Sequence, residues 1–136
     1  MKANELRIGN LIHNPIQKID LRVTVDLLSR INYDYFNTQM NPKDKFQPIP
    51  LTEEWLLKFG FIKGDYNWFR LYFNSEKLDD SDCFTYNINS KMLCLESFYD
   101  GKKKGSVQLL SFSEKHVHTL QNLYFALTNE ELKTTL

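Results

Sequence analysis

The clearest periodicity in the chain lies near its C-terminus, where Val117, Leu120, Tyr124 and Leu127 recur at helical spacing with Leu123 beside them. Side chains three and four apart share a helix face, so this run predicts an amphipathic helix with a broad apolar side. Most other apolar runs show a period of two. Ile19, Leu21, Val23 and Val25 alternate with polar residues, as do stretches within Trp68 to Phe73, Cys83 to Ile88, Lys91 to Tyr99 and Ser106 to Phe112. These predict strands, and Asn89-Ser90 and Asp100-Gly101 supply turns between the later ones. Four successive strands suggest an antiparallel meander with a face for a helix.

Two further helices are short. Thr24 caps a helix from Val25 to Ile31 that buries Leu27, Leu28 and Ile31, following a strand that ends near Val23. Thr52 caps a second, with Glu53 and Glu54 at its positive end and Leu51 and Leu56 placed as a hydrophobic staple. Gly60 stands where a left-handed C-terminal residue is needed, and Phe61 can fold back on Leu56. Glu5 to Ile12 reads as an extended segment broken at Gly9-Asn10. For the last helix, Ser111 with Glu114 fits a capping box, Ser113 competes as the cap, and Asn129 closes the far end; the Glu130-Glu131-Leu132 tail then frays or adds a turn. The expected fold is α+β: one domain over residues 1–136, with an antiparallel sheet of about four to six strands, the C-terminal helix packed on one face and two short helices.

Between these elements, Asn32 to Gln47 is polar with no sustained period, yet contains Tyr33, Tyr35, Phe36 and Phe46. It reads as a long loop that either covers one end of the core or forms a special surface.

Composition narrows the class. A chain of 136 residues with 42% hydrophobic and 25% charged residues suits a single soluble core. Lys plus Arg equals Asp plus Glu at 17 each, so no global field attracts nucleic acid or an anionic membrane. Aromatic residues reach 14%, and Tyr and Trp suit contact surfaces as well as cores. The N-terminus lacks the apolar run of a signal peptide, and no window approaches a membrane span of roughly 18 apolar residues. A cytoplasmic protein with no membrane partner is expected, and the two cysteines, Cys83 and Cys94, read as buried packing thiols.

Three blocks carry a resemblance: Glu5-Leu6-Arg7-Ile8-Gly9-Asn10, the run from Pro48 to Phe61 (PIPLTEEWLLKFGF), and the run from His116 to Thr128 (HVHTLQNLYFALT). In that order they resemble a family of small uncharacterised proteins of gut-type bacteria, their prophages and mobile elements. Asn129 stands where that family usually shows Gly, and Ile12 to Gln47 departs most from its pattern. The resemblance implies a setting of mobile DNA but transfers no catalytic residue. Small proteins in that setting often bind a host enzyme or defence complex stoichiometrically, anti-CRISPR proteins being the sharpest example.

Candidate chemistry is sparse. His116 and His118 would point apart as i and i+2 on a helix, so they cannot share a metal there. Asp79-Asp80-Ser81-Asp82 lacks the ligand ladder of a calcium loop. Neither cysteine has the surroundings of a nucleophile, and Gly60, Gly64, Gly101 and Gly105 form no phosphate cradle. Trp55 and Trp68 read as core or core-rim residues. No catalytic residue, metal or cofactor is therefore expected. The expected contact residues are Tyr33, Tyr35 and Phe36 of the aromatic loop, and Lys102, Lys103 and Lys104 at a hairpin tip. The expected partner is a host protein or ribonucleoprotein complex, with an RNA-guided nuclease as the most concrete case. The alternative is a small nucleic-acid-binding or regulatory module that touches phosphates through the same lysine tip, with Phe98, Tyr99 and the loop tyrosines stacking bases. Against both stands a lysine cluster that merely protects an edge.

Overall fold

The structure is a computed structural model that describes residues 1–74, 81–109 and 116–134. It is an α+β protein with a five-stranded antiparallel sheet, a two-stranded hairpin, a C-terminal helix and shorter helical elements. The chain divides into two compact units, Met1–Pro50 with His116–Glu131, and Leu51–Lys115 with Leu132–Leu136.

In the first unit, strands β1 (Leu11–Asn14) and β2 (Ile19–Arg22) form an antiparallel hairpin with Ile12 opposite Leu21. The Asn14 side chain accepts the backbone N–H groups of Ile16 and Gln17, fixing the turn. The break expected at Gly9-Asn10 is real: Gly9 takes φ +94°, open to a residue without a Cβ. Helix α1 (Val25–Phe36) follows, capped by the Thr24 hydroxyl, which accepts the Leu27 N–H at 3.2 Å. Ile12, Val23, Ile31 and Phe46 are the buried core, with Leu6, Leu21, Leu27 and Leu28 packed against it.

Helix α1 runs five residues past the expected end at Ile31, so Tyr33, Tyr35 and Phe36 are helical and not part of a loop. The inward stripe of Leu28 and Ile31 continues through Asp34, which is buried and pairs with Arg30 one turn earlier at 3.8 Å. Asn32 and Tyr33, modest helix formers, face outward where propensity gives way to packing. The Lys45 ammonium bonds the Tyr35 carbonyl at 3.0 Å, satisfying one group at the helix end. From there the chain returns through buried Phe46, and Gln47 exchanges two backbone hydrogen bonds of 2.9 Å with His13. The covering role expected of this segment is thus carried by Phe46.

Helix α3 (Val117–Thr128) completes the first unit and lies against β1. It begins at Val117, with His116 in an extended conformation before it; the expected caps Ser111, Ser113 and Glu114 lie outside the described residues. Thr119 does the local work, its hydroxyl accepting the His116 N–H at 3.1 Å and donating to the His116 carbonyl at 2.6 Å. Asn129 ends the helix at φ +58°, the left-handed residue expected there. The tail does not fray at once: Glu131 takes a two-pronged bond from Arg7, at 2.6 and 3.2 Å, and Leu132 is buried.

The polar faces of α3 are as specific as its apolar one. Gln121 is fully buried, its Oε1 accepting the Leu11 N–H at 2.8 Å and its Nε2 donating to the Gly9 carbonyl at 3.3 Å. Asn122 accepts from Asn10 at 2.8 Å and donates to the Glu5 carbonyl at 3.1 Å. Two neighbouring amides therefore clamp the backbone that leads into β1.

The second unit opens with helix α2 (Glu53–Lys58). Its Thr52 cap accepts the Trp55 N–H, and its far end is a complete Schellman motif: Phe61 N–H to the Leu56 carbonyl, Gly60 N–H to the Leu57 carbonyl, both 3.0 Å, with Gly60 at φ +90°. Strands β3 (Ile62–Lys63), β4 (Trp68–Tyr72), β5 (Asp82–Asn87), β6 (Met92–Tyr99) and β7 (Lys102–Gln108) then form a meander in sequence order. Phe69, Phe84, Tyr86 and Leu93 share one face and are buried.

Candidate functional site

Alternation along the meander places Trp68, Arg70 and Tyr72 on the face opposite that core. Register extends this face across the sheet: Arg70 stands opposite Thr85, which stands opposite Cys94, and Tyr72 opposite Cys83, which stands opposite Glu96. Here Ile62, Lys63, Tyr66, Trp68, Arg70, Tyr72, Thr85 and Glu96 line an open groove of about 720 Å³.

The groove floor is polar and tightly placed. The Glu96 side chain is 10% exposed, with one oxygen 3.4 Å from the Arg70 guanidinium and the other 3.9 Å from the Lys103 ammonium. Burial works against the charge on Arg70, but the Tyr72 hydrogen bond, with the Glu96 carboxylate as a smaller contribution, outweighs it and strengthens its hold on the proton. Its guanidinium also lies 5.4 Å from the Phe98 ring centroid, and Phe98 lies 6.4 Å from Tyr72.

At one lip, the β3–β4 connection makes a tight turn in which Tyr66 (φ 56°, ψ 35°) and Asn67 (φ 64°) are both left-handed. This is the geometry of a type I′ turn, which favours Asn and Gly. Tyrosine is a poor fit to it, because its Cβ crowds the following carbonyl. The turn is held by Asn87, whose amide donates to the Tyr66 carbonyl, and by Ile88, whose N–H donates to the Asn67 carbonyl, both at 3.1 Å. The Tyr66 residue is left 88% exposed.

The lysine cluster lies beside this face, within a strand. The tip of the β6–β7 hairpin is Asp100-Gly101, both at positive φ, and Lys102, Lys103 and Lys104 begin β7, which starts four residues before the expected Ser106. Lys103 pairs with Phe98 and Gly105 with Ser97, so Lys104 is the extra residue of a bulge. Every residue of β7 is exposed, and among the described residues no strand pairs with its outer edge.

The aromatic group lies in the other unit, at the end of α1. Tyr33 and Phe36 are 72% and 71% exposed, while Tyr35 is half-buried and meets Phe36 edge-on, centroids 5.0 Å apart. Hollows of about 380 and 400 Å³ lie beside Phe36, lined in one case by Lys2, Asn4, Asn32 and Tyr35, in the other by Asn32, Tyr33, Asn37 and Thr38.

The remaining candidates are placed as follows. His116 and His118 do not point apart: His116 precedes the helix in extended conformation, so helical spacing does not govern it, and the rings stack 5.7 Å apart at 11°. Among the described residues no group of three or more His, Cys, Asp and Glu is arranged to hold a metal. Asp79 and Asp80 lie outside the described residues, and Asp82 begins β5. Burial pushes both thiol pKa values up, for Cys83 more than Thr85 and Arg70 oppose it and for Cys94 with Glu96 adding to it, so neither is an activated nucleophile. Trp55 is buried, whereas Trp68 is half-buried and lines the groove. No described helix is long and apolar enough to cross a membrane.

Trp68, Arg70 and Tyr72 are the residues that sequence reasoning missed as a site. Their period of two was visible, but only the sheet order shows which strands extend that face. Comparison with protein-family models, curated proteins and solved structures finds no match for this chain.

Proposed function

We propose that this protein acts by binding a partner stoichiometrically, without catalysis, and that the aromatic end of α1 is a principal contact. One observation carries this reading: Tyr33 and Phe36 sit one helical turn apart, each more than 70% exposed, beside a core closed by Ile12, Val23, Ile31 and Phe46. Neither ring belongs to that core. Exposed aromatics with adjacent hollows are the usual anchors of protein interfaces, where a few such residues supply most of the binding energy. Tyr35, packed edge-on against Phe36, limits the ring's motion and so the entropy lost on binding.

The resemblance to prophage and mobile-element proteins supports a partner class, a host protein or ribonucleoprotein complex. A bacterial defence complex such as an RNA-guided nuclease is the first to test, with the chain acting as an anti-CRISPR-like inhibitor. The experiment is affinity capture from bacterial lysate, with and without nuclease, read by mass spectrometry. A defence complex recovered in both arms, and lost with Tyr33→Ser plus Phe36→Ser at an unchanged unfolding midpoint, is the expected result. Undiminished capture by that double variant would sink the assignment of this surface. Lys102, Lys103 and Lys104 belong to the other unit and are tested by a separate triple Ser variant.

A further inference from the structure

We infer that the groove along β4, on the Trp68–Arg70–Tyr72 face of the five-stranded sheet, is a stacking platform for single-stranded nucleic acid. Trp68, Arg70 and Tyr72 form a ladder along β4, aromatic, guanidinium, aromatic, with steps of about 6.7 Å at strand rise. Bases stack on aromatic rings and on guanidinium planes alike, and this step is comparable with the spacing of successive nucleotides in an extended strand. Phe98 extends the ladder onto β6, 6.4 Å from Tyr72.

The polar groups suit bases and phosphates rather than a greasy peptide. Glu96 sits between Arg70 and Lys103, and with Lys63 and Asp65 also lining the groove the site offers both charged donors and carboxylate acceptors to base edges. Lys103, opposite Phe98, stands on this face beside the groove and is exposed to a passing phosphate, whereas Lys102, opposite Tyr99, belongs to the other face. An added peptide strand would instead seek the β7 edge, and there the lysines and the bulge at Lys104 are the features that discourage pairing.

Tyr66 is an independent sign. Its turn is strained by a side chain that Asn or Gly would spare, and what tyrosine adds is an exposed ring at the groove's lip. A ring kept there at a cost is placed to close over a stacked base.

The test is fluorescence anisotropy with labelled oligouridine and oligothymidine, and with a duplex of equal length, over a salt series, together with Trp68 emission. The expected result is single-strand binding with quenched Trp68 emission, weakening linearly in log–log salt by about 0.7 per phosphate contact. Trp68→Ala plus Tyr72→Ala should cost roughly tenfold or more, because each removes a ring on which a base would stack. Because that pair also removes packing area from β4, Tyr66→Asn and Lys103→Ser serve as milder variants: the first should weaken binding while stabilising the fold, the second should flatten the salt slope. No binding at low salt, or affinity unchanged in all these variants, overturns the inference. So does a wild-type protein that ignores every oligonucleotide yet loses a captured polypeptide when Trp68 and Tyr72 are replaced, an outcome that assigns the face to a protein segment.

Discussion

Gln121 offers the sharpest test of how the first unit is held together. It is fully buried, and its two amide ends meet one donor, Leu11 N–H, and one acceptor, the Gly9 carbonyl. Gln121→Leu keeps the approximate volume but leaves a buried N–H without its partner, at about 1–3 kcal/mol, and loses the longer bond to Gly9, at about 0.5–1 kcal/mol. Burial of the new apolar side chain returns part of this, so a net loss of about 2 kcal/mol is expected. For a chain of this size that is a fall of roughly 6–10 °C in unfolding temperature. Gln121→Glu separates the two bonds. The introduced carboxyl can still accept from Leu11, but its second oxygen faces the Gly9 carbonyl and can bond it only when protonated. Burial and that carbonyl both favour the neutral acid, so its folded pKa rises above the unfolded carboxylate value of about 4.3. The variant's deficit should therefore be small below pH about 4 and grow by up to about 1.4 kcal/mol per pH unit above it, levelling off past the folded pKa. Urea midpoints for wild type and both variants across pH 3.5–8 (about one carboxylate titration and its surroundings) give the answer. A Gln121→Leu variant as stable as wild type, or a Gln121→Glu deficit that does not change with pH, would refute the clamp.

Tyr66→Asn should raise stability by about 1 kcal/mol, because a left-handed non-glycine residue costs about 1–2 kcal/mol and Asn tolerates the region better. With Tyr66 88% exposed there is little burial to lose, and a denaturant midpoint at or below wild type would show the turn to be unstrained. At high pH the buried acids take over. Burial raises the pKa of the Cys83 thiol above its ordinary 9.0 and that of the Tyr86 hydroxyl above 10.0, so the unfolded chain releases these protons first. Stability from this source is complete below pH 9 and falls as pH rises past 9 and 10 toward the folded values, which alkaline melts of wild type and Cys83→Val would read as a smaller loss in the variant.

Local punctuation was the most legible feature of the sequence. Thr52, Gly60 and Phe61 predicted a capped two-turn helix with a Schellman end, and each bond is present, because such motifs depend on only a handful of consecutive residues. Asn129 and Asp100-Gly101 behave likewise. What failed was wherever distant residues decide. Helix α1 outran its apolar signal because Asp34 is taken inward and Lys45, ten residues on, bonds the Tyr35 carbonyl. The turn at Tyr66-Asn67 was invisible because Tyr carries no preference for the left-handed region; Asn87, from another strand, helps to hold it. The histidine pair was misjudged because its first member precedes the helix. For the candidate contacts, the sequence identified exposed Tyr33, Phe36 and the lysines, but not the sheet face next to Lys103, which exists only through strand order.

The two proposed surfaces differ in chemistry enough for a single variable to separate them. Tyr33 and Phe36 would bind by burying ring area, an attraction that ionic strength barely touches at about 25 cal/mol per Å² of apolar surface. The sheet face would bind through Arg70 and Lys103, and each phosphate they neutralise makes affinity fall with salt. A partner held by α1 should thus survive a wash from low to moderate salt and elute with Phe36→Ser. One held at the groove should be lost in the wash and show the slope reduced in Lys103→Ser. If one complex needs both surfaces, the salt dependence will persist in the α1 variant at lower overall affinity, because the two terms contribute separately to one free energy. A salt series on wild type and these two variants therefore assigns the binding energy to its surface before the partner has a name.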